Sequence, residues 1–473
     1  MALTLEESKV NTEQHFSEML NDLQANILKH HGRNFAYHLF LAVKEGKADE
    51  AKNWITNFAT SKITSTAKQL IDSNIRKQYD IDGGTVYTLS LSKSGYDKLE
   101  IDSEIIPENE AFQEGLKNRS TKLADDPEDW DDEFKSQIDV LIIIGHADKD
   151  IAVNRKDNLI LQLSPIFDIA KVQAGEILRN GAIGIEHFGY ADGVSQPLFL
   201  EKEILEQNST AAWNDEATLN LALVKDKGGK FADSFGSYLV FRKLEQNVMK
   251  FNTEEDSLPA VKDQNGAAND ELAGAMIVGR FEDGTEVVNK SSESGHTSSQ
   301  SMINDFNYST DPDGSECPFH SHIRITNPRS DVGDDFAKSV RLVRRGIPYN
   351  DIGRVGTEGK PADGVGLLFM CYQSSIERQF EFIQQSWVNH GEIRPGRFVG
   401  QDGLIGQGVN NDKKHLPEQW GELTPKNTCD FSNPESGFVT MKGGEYFFTP
   451  SISFLKSLAL EHKMVLETAQ LSL

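Results

Sequence analysis

The sequence predicts two α+β units in tandem, each an antiparallel sheet covered by helices on one side. Three observations carry that prediction. A length of 473 residues suits two domains of roughly 200 residues each. Stretches with apolar residues at every second position intermix with stretches at three- and four-residue steps, and the alternating strands keep one polar face. A polar stretch at Glu206–Asn220 separates an earlier set of elements from a later one, which divides the chain into residues 1–215 and 216–473. No internal repeat is visible by eye.

Phe16, Met19, Leu20, Leu23, Ile27 and Leu28 recur at helical steps, and Gly32 follows as a stop, so a first helix is expected there. Phe35, Tyr37, Leu39, Leu41 and Val43 alternate as a strand. A helix around Asp49–Ala59, strands at Thr85–Ser92 and Ile138–Ile144, and helical patterns up to about Leu178 complete the first unit. In the second, Ser237–Phe241 and Val365–Tyr372 read as strands, the latter running into a helix through Ile376–Trp387. Phe438–Met441 and Tyr446–Phe448 read as a strand pair around a turn at Gly443 and Gly444, and Ser451–His462 as a closing helix. The Ser- and Gly-rich stretch Asn289–Ser301 is expected to be an exposed loop.

Composition removes several classes of function. With 48 Lys and Arg against 73 Asp and Glu, the net charge of −25 repels phosphate, which disfavours nucleic acid and anionic membranes as partners. Apolar residues at 38% and charged ones at 26% are an ordinary globular balance, so disorder is not expected. Cys317, Cys371 and Cys429 form no CxxC pair, so neither a disulfide framework nor a zinc site is expected and a reducing compartment fits. The opening MALTLEESKV has no basic stretch followed by an apolar one, and no apolar run approaches the roughly 20 residues of a membrane helix, so a cytoplasmic protein is expected. The motifs GxxxxGK[ST], HExxH, GxSxG and GxGxxG are absent. The acidic run Asp125–Glu133 reads as a solvated face.

Three segments stand out. In EHFGYADGVSQP (186–197), Gly189 and Gly193 bracket Asp192 and could present one carboxylate at a loop tip for acid/base work, or simply form a surface turn. In CPFHSHIRITNPR (317–329), His320 and His322 precede Arg324 and Arg329. An HxH pair without a third ligand at suitable spacing suits either a single axial histidine on a cofactor that brings its own ligands, as haem does, or, as for most of the chain's twelve histidines, ordinary satisfied or solvated side chains. In RLVRRGIPY (341–349), three arginines cluster in an acidic chain. They suit either stabilisation of a developing oxyanion or a helix C-terminus, with Arg345 at the surface and Arg344 pointing inward.

Taken in that order, the three segments resemble the dye-decolourising peroxidase family. So do DLQANILKHHGR (22–33), VLIIIGHAD (140–148), GSYLVFRKLE (236–245), MIVGR (276–280) and GGEYFFTP (443–450). The resemblance implies haem b (iron protoporphyrin IX) held mainly in the second of two tandem ferredoxin-like domains. It implies hydrogen peroxide as oxidant and aromatic donors such as dyes and phenols as reductants. It further implies His322 as proximal iron ligand, Asp192 as distal acid/base residue, Arg344 as distal charge stabiliser, and Arg329 or Arg324 near a propionate. Homo-oligomers occur among similar proteins.

Those roles make chemical sense. An ionised Asp192 can move a proton from one peroxide oxygen to the other, and Arg344 can stabilise the charge that develops as the bond opens and a ferryl oxygen forms. An ordinary Asp titrates near 3.9, which predicts an acidic optimum. A carboxylate should orient the axial histidine, with Glu377 as the candidate. Dyes too bulky for a haem cavity call for a surface electron relay, for which Tyr349, Tyr372 and Trp387 are candidates, although each taken singly reads more readily as a core aromatic.

Overall fold

The computed structural model describes residues 3–79, 81–207, 212–298, 302–353, 360–394, 396–408, 414–422, 426–429, 431 and 437–459. Nine strands of the ten-stranded main sheet organise the fold: β1 (Phe35–Val43), β2 (Val86–Leu91), β3 (Val140–His146), β4 (Phe167–Glu176), β5 (Phe235–Gln246), β6 (Val343–Arg344), β7 (Ile347–Asn350), β8 (Val365–Gln373) and β9 (Val439–Thr449). Every pairing among them is antiparallel. The order is β6–β8–β5–β9–β2–β3–β1–β4, with β7 pairing β8 beside β6.

That order contains a repeat which the sequence hides. The first four strands run β4–β1–β3–β2, fourth–first–third–second. The later ones run β9–β5–β8–β6/β7, again fourth–first–third–second. Each half is a ferredoxin-like α+β unit, and the halves join where Phe448 of β9 pairs with Leu91 of β2. The far edges approach as well. Gln173 of β4 donates to Asp351, just past β7, at 2.8 Å. A methyl group on Gly175 would meet Ile347 at 2.6 Å. The sheet thus curls back on itself, which removes most of its exposed edge.

Closure explains why the strands lack the polar face expected of them. Every residue of β2 and of β3 is buried, because one side of each strand faces the interior of the curled sheet and the other lies under helices. Around this core run α1 (Gln14–Asp22), α2 (Ala48–Ser61), α3 (Thr66–Tyr79) and α4 (Lys149–Leu163). No described helix is long and apolar enough to cross a membrane.

Several expectations need correction. The first helix stops at Asp22; Leu23, Ala25, Ile27 and Leu28 are buried in irregular chain, with Asn26 at φ 73°. The helix expected up to Leu178 ends at Leu163, and the chain then enters β4, whose run of four half-buried residues, 169–172, breaks the alternation. Residues 439–448 are not a hairpin but part of the single strand β9. Its register against β5 shifts between Met441 and Gly443, so the glycines mark a bulge. Gly443 has φ 138°, and a Cβ there would lie 2.3 Å from the Phe134 ring. The chain after β8 is helical as expected but wound with five-residue bonds, as from Glu381 N–H to the Ile376 carbonyl at 2.9 Å. The closing helix covers 452–459; the rest of that prediction lies outside the described residues.

Two polar stretches are also less solvated than their composition suggests. Within 212–220 every second residue from Trp213 to Leu219 is buried, including Asp215, which accepts from the Trp213 indole at 2.9 Å. Asp125, in the acidic run, is enclosed and takes both prongs of the Arg242 guanidinium at 2.7 and 2.8 Å. Removing one charge from such a pair strands the other. Asp125→Asn should therefore lower unfolding stability by about 3–5 kcal/mol, read as an earlier denaturant midpoint.

Candidate active site

The axial-histidine candidate sits at the start of α6 (His322–Thr326), a single short turn packed against the end of α5 (Asp270–Val278). Gly279 ends α5 at φ 98°, and a Cβ there would lie 2.3 Å from Ile323, so glycine is required for the approach. Ser321 donates to the Met276 carbonyl and fixes α6 in place.

His322 Nδ1 lies 2.7 Å from Asp402 Oδ2. Burial works against the Asp402 carboxylate. His322 and the backbone N–H groups of Leu404 and Ile405 outweigh it, and hold the carboxyl below its ordinary value. An ionised carboxylate only accepts, so Nδ1 carries a proton, and in the neutral imidazole the lone pair then lies on Nε2. Among the described residues nothing bonds to Nε2. This is the arrangement in which a second carboxylate orients a metal-binding imidazole.

Asp402 replaces Glu377 in that position. Glu377 accepts from Ala111 N–H at 2.7 Å and from Asn109, and lines a separate cleft of about 990 Å³ that includes none of the five predicted site residues. His320 is buried two residues before α6.

The two candidate propionate cations differ sharply. Arg324 spends all five N–H donors inside the protein: on both oxygens of Asp331, on Asp311 Oδ2 and its carbonyl, and on the Cys317 carbonyl. It braces the histidine segment and has no donor left for a ligand, so the propionate expectation fails for it. Arg329 binds the Asn304 and Phe306 carbonyls, Asn304 Oδ1 at 2.8 Å and Ser195 Oγ at 3.4 Å, and stacks over Phe306 at 3.8 Å. Arg280 shares Asn304 Oδ1 at 3.2 Å. Burial, followed by the charge of Arg329, pushes Arg280 down to about 10. Among the described residues neither guanidinium has a carboxylate within 4 Å.

Through Ser195, Arg329 also touches the loop bearing Asp192, which the chain places between β4 and β5. Its backbone is tied to β6: Arg344 donates to the Val194 carbonyl at 2.7 Å, and the Arg344 N–H to Gln196 Oε1 at 3.2 Å. Arg344 Nη1 stands 3.8 Å from Asp192 Oδ1, both side chains about one-third exposed. The neighbouring arginines are the reverse of the expected pair. Arg345 is buried, donating to the Asn26 and Ile27 carbonyls at 2.7 Å, and Arg344 is the accessible one. They lie at a strand edge, not at a helix end.

The match to known proteins is extensive. A family model described as "DyP dimeric alpha+beta barrel domain" covers residues 22–174, and one described as "Dyp-type peroxidase, C-terminal" covers 206–394. The chain belongs to the dye-decolourising peroxidase family. It is 36% identical to the multifunctional dye peroxidase DyP2 of Amycolatopsis sp. over 93% of this chain and 96% of that one. It is 30% identical to a dye-decolorizing peroxidase of Mycena epipterygia over 79% and 76%. The crystal structure of a DyP-type peroxidase from Anabaena sp. superposes with a TM-score of 0.89 at 38% identity, covering 97% of this chain and all of that one. The protein is thus a peroxidase, an oxidoreductase of the dye-decolourising type.

For this peroxidase the three aromatic relay candidates share one fate. Tyr349, Tyr372 and Trp387 are all buried. The Tyr349 hydroxyl has no hydrogen-bond partner among the described residues. Tyr349→Phe should therefore leave the oxidation rate of a bulky dye within about twofold of wild type, since it removes neither surface area nor a bond.

Proposed function

We propose that the chain is a haem b peroxidase that reduces hydrogen peroxide while oxidising aromatic donors such as dyes and phenols. The donor set fits that cofactor. His322 offers one oriented, unoccupied imidazole nitrogen, and Arg329 with Arg280 forms a buried positive excess suited to an anionic edge. His322 would hold the iron and Arg329 would face a propionate; the bound cofactor stores the two oxidising equivalents that peroxide delivers.

The rest falls to the protein. Asp192, ionised, accepts the proton of one peroxide oxygen and returns it to the other, so that the departing oxygen leaves as water. Arg344, anchored through Val194, keeps a fixed positive charge 3.8 Å from that carboxylate and stabilises the negative charge that builds as the O–O bond lengthens. Two one-electron donors then restore the resting enzyme. The convergence of Asp192 and Arg344, from segments about 150 positions apart, is the observation that most supports this reading.

A hemin-reconstituted preparation tests it. The proposal expects a Soret band, a rapid spectral change on adding peroxide, and peroxide-dependent oxidation of a phenol. A colourless protein after reconstitution, or a coloured one inert to peroxide, would overturn it.

A further inference from the structure

The loop that carries Asp192 is wound around a carboxylate. Glu186 Oε2 accepts from the Phe188 N–H at 2.8 Å and Oε1 from the Tyr190 N–H at 3.0 Å. The backbone closes the same circle, Glu186 N–H to the Tyr190 carbonyl at 3.1 Å and Gly189 N–H to the Glu186 carbonyl at 3.1 Å. Two residues later the chain is pinned again, by Asp192 N–H to the Gly184 carbonyl at 3.0 Å. The carboxylate itself is moored from outside the loop by Gln246 Nε2, at the end of β5.

We propose that Glu186 is a positioning residue for Asp192, the internal post around which the acid/base loop is built, with Gln246 fixing that post to the second half of the sheet. The inference rests on the acid/base role proposed for Asp192.

The chemistry of the post is unusual. Although Glu186 keeps some exposed area, burial pushes its carboxyl up to about 7; the bonds from Phe188, Gln246 and Tyr190 pull the other way, and the charge of Asp192 adds to the rise. Around the loop stand His187 and Tyr190 on the loop itself, Glu282 behind Gly189, and Glu255, which accepts from the Tyr190 hydroxyl and has Lys360 nearby. The ionised post accepts N–H bonds on both oxygens. The neutral acid must donate one proton, and Gln246 Oε1, buried without a partner, can receive it once the amide is turned over. Glu186 therefore changes charge near neutrality while holding the loop.

Glu186→Gln isolates this role. The variant should keep its Soret band, and its second-order rate with hydrogen peroxide at pH 8 should fall tenfold or more, since small displacements of a reacting group cost rates of that order. Its thermal stability should move differently. An acid whose folded pKa is raised binds more protons folded than unfolded, so wild type loses stability as pH rises from about 4.5 to 7. The Tm difference should thus shift in favour of the variant between pH 5 and pH 8, while its rate stays low. A merely structural role would move rate and Tm together. A variant matching wild type within twofold in rate and pH profile would overturn the inference. Should Glu186→Gln fail to fold, Gln246→Leu decides: slowed peroxide reduction with haem retained supports the post, and an unchanged rate refutes it. Asp192→Asn run alongside separates the two readings, because wild-type activity in that variant would remove the acid/base role itself.

Discussion

Replacing Asp192 by Asn should lower the second-order rate constant with hydrogen peroxide by about 10²–10⁴-fold while the protein keeps its haem, the range expected when a positioned proton carrier is lost. Asn matches the shape of Asp and can still accept from the Gly193 N–H, a bond made at 2.6 Å in the wild type. What disappears is the capacity to take a proton, together with the negative charge 3.8 Å from Arg344. Stopped-flow mixing with peroxide, at several pH values, measures the loss. Near-wild-type rates throughout would show that another group carries the proton.

His322→Ala should have the second large effect, of a different kind. The chain should fold, because His322 is a quarter exposed and contributes one side-chain bond, to Asp402. It should purify without a stable Soret band, and added imidazole should restore part of it. Asp402→Asn should weaken cofactor retention or activity by about 10–100-fold, the usual consequence of removing an orienting carboxylate. Absorption spectra after hemin titration read both outcomes. A His322→Ala protein that binds hemin as tightly as wild type would assign the iron to another residue.

What could be read from the sequence was a set of short, contiguous segments and the roles that the family resemblance implies for them. Asp192, His322 and Arg344 each lie in a run whose residue types make little sense as packing. Asp402 lies 80 positions from His322 in a plain Asp-Gly turn, and only the fold brings the two together. Arg324 and Arg329 look alike as cations trailing a histidine. Asp311 and Asp331 distinguish them by pairing with the first, and although both lie within 13 positions of Arg324, residue types alone do not say which way a guanidinium turns. Arg344 and Arg345 were distinguishable only by strand geometry, which sends neighbouring side chains to opposite faces.

The core followed a similar rule. The apolar run of β3 announced itself, whereas β4 was masked because an edge strand is only partly covered. Gly443 and Gly444 signalled a departure from regular backbone. A bulge and a turn use the same residues, so the signal could not say which.

The repeated topology has one more consequence. The passage from β4 to β5 is the backbone connection between the first four strands and the later five, which otherwise meet through the pairing of β9 with β2, and that same passage bears Asp192. A tether that also holds the proposed acid/base group cannot drift as tethers usually do. Insertions that would merely lengthen an ordinary linker would here pull the carboxylate off its arginine, so turnover reports whether the two lobes are correctly seated.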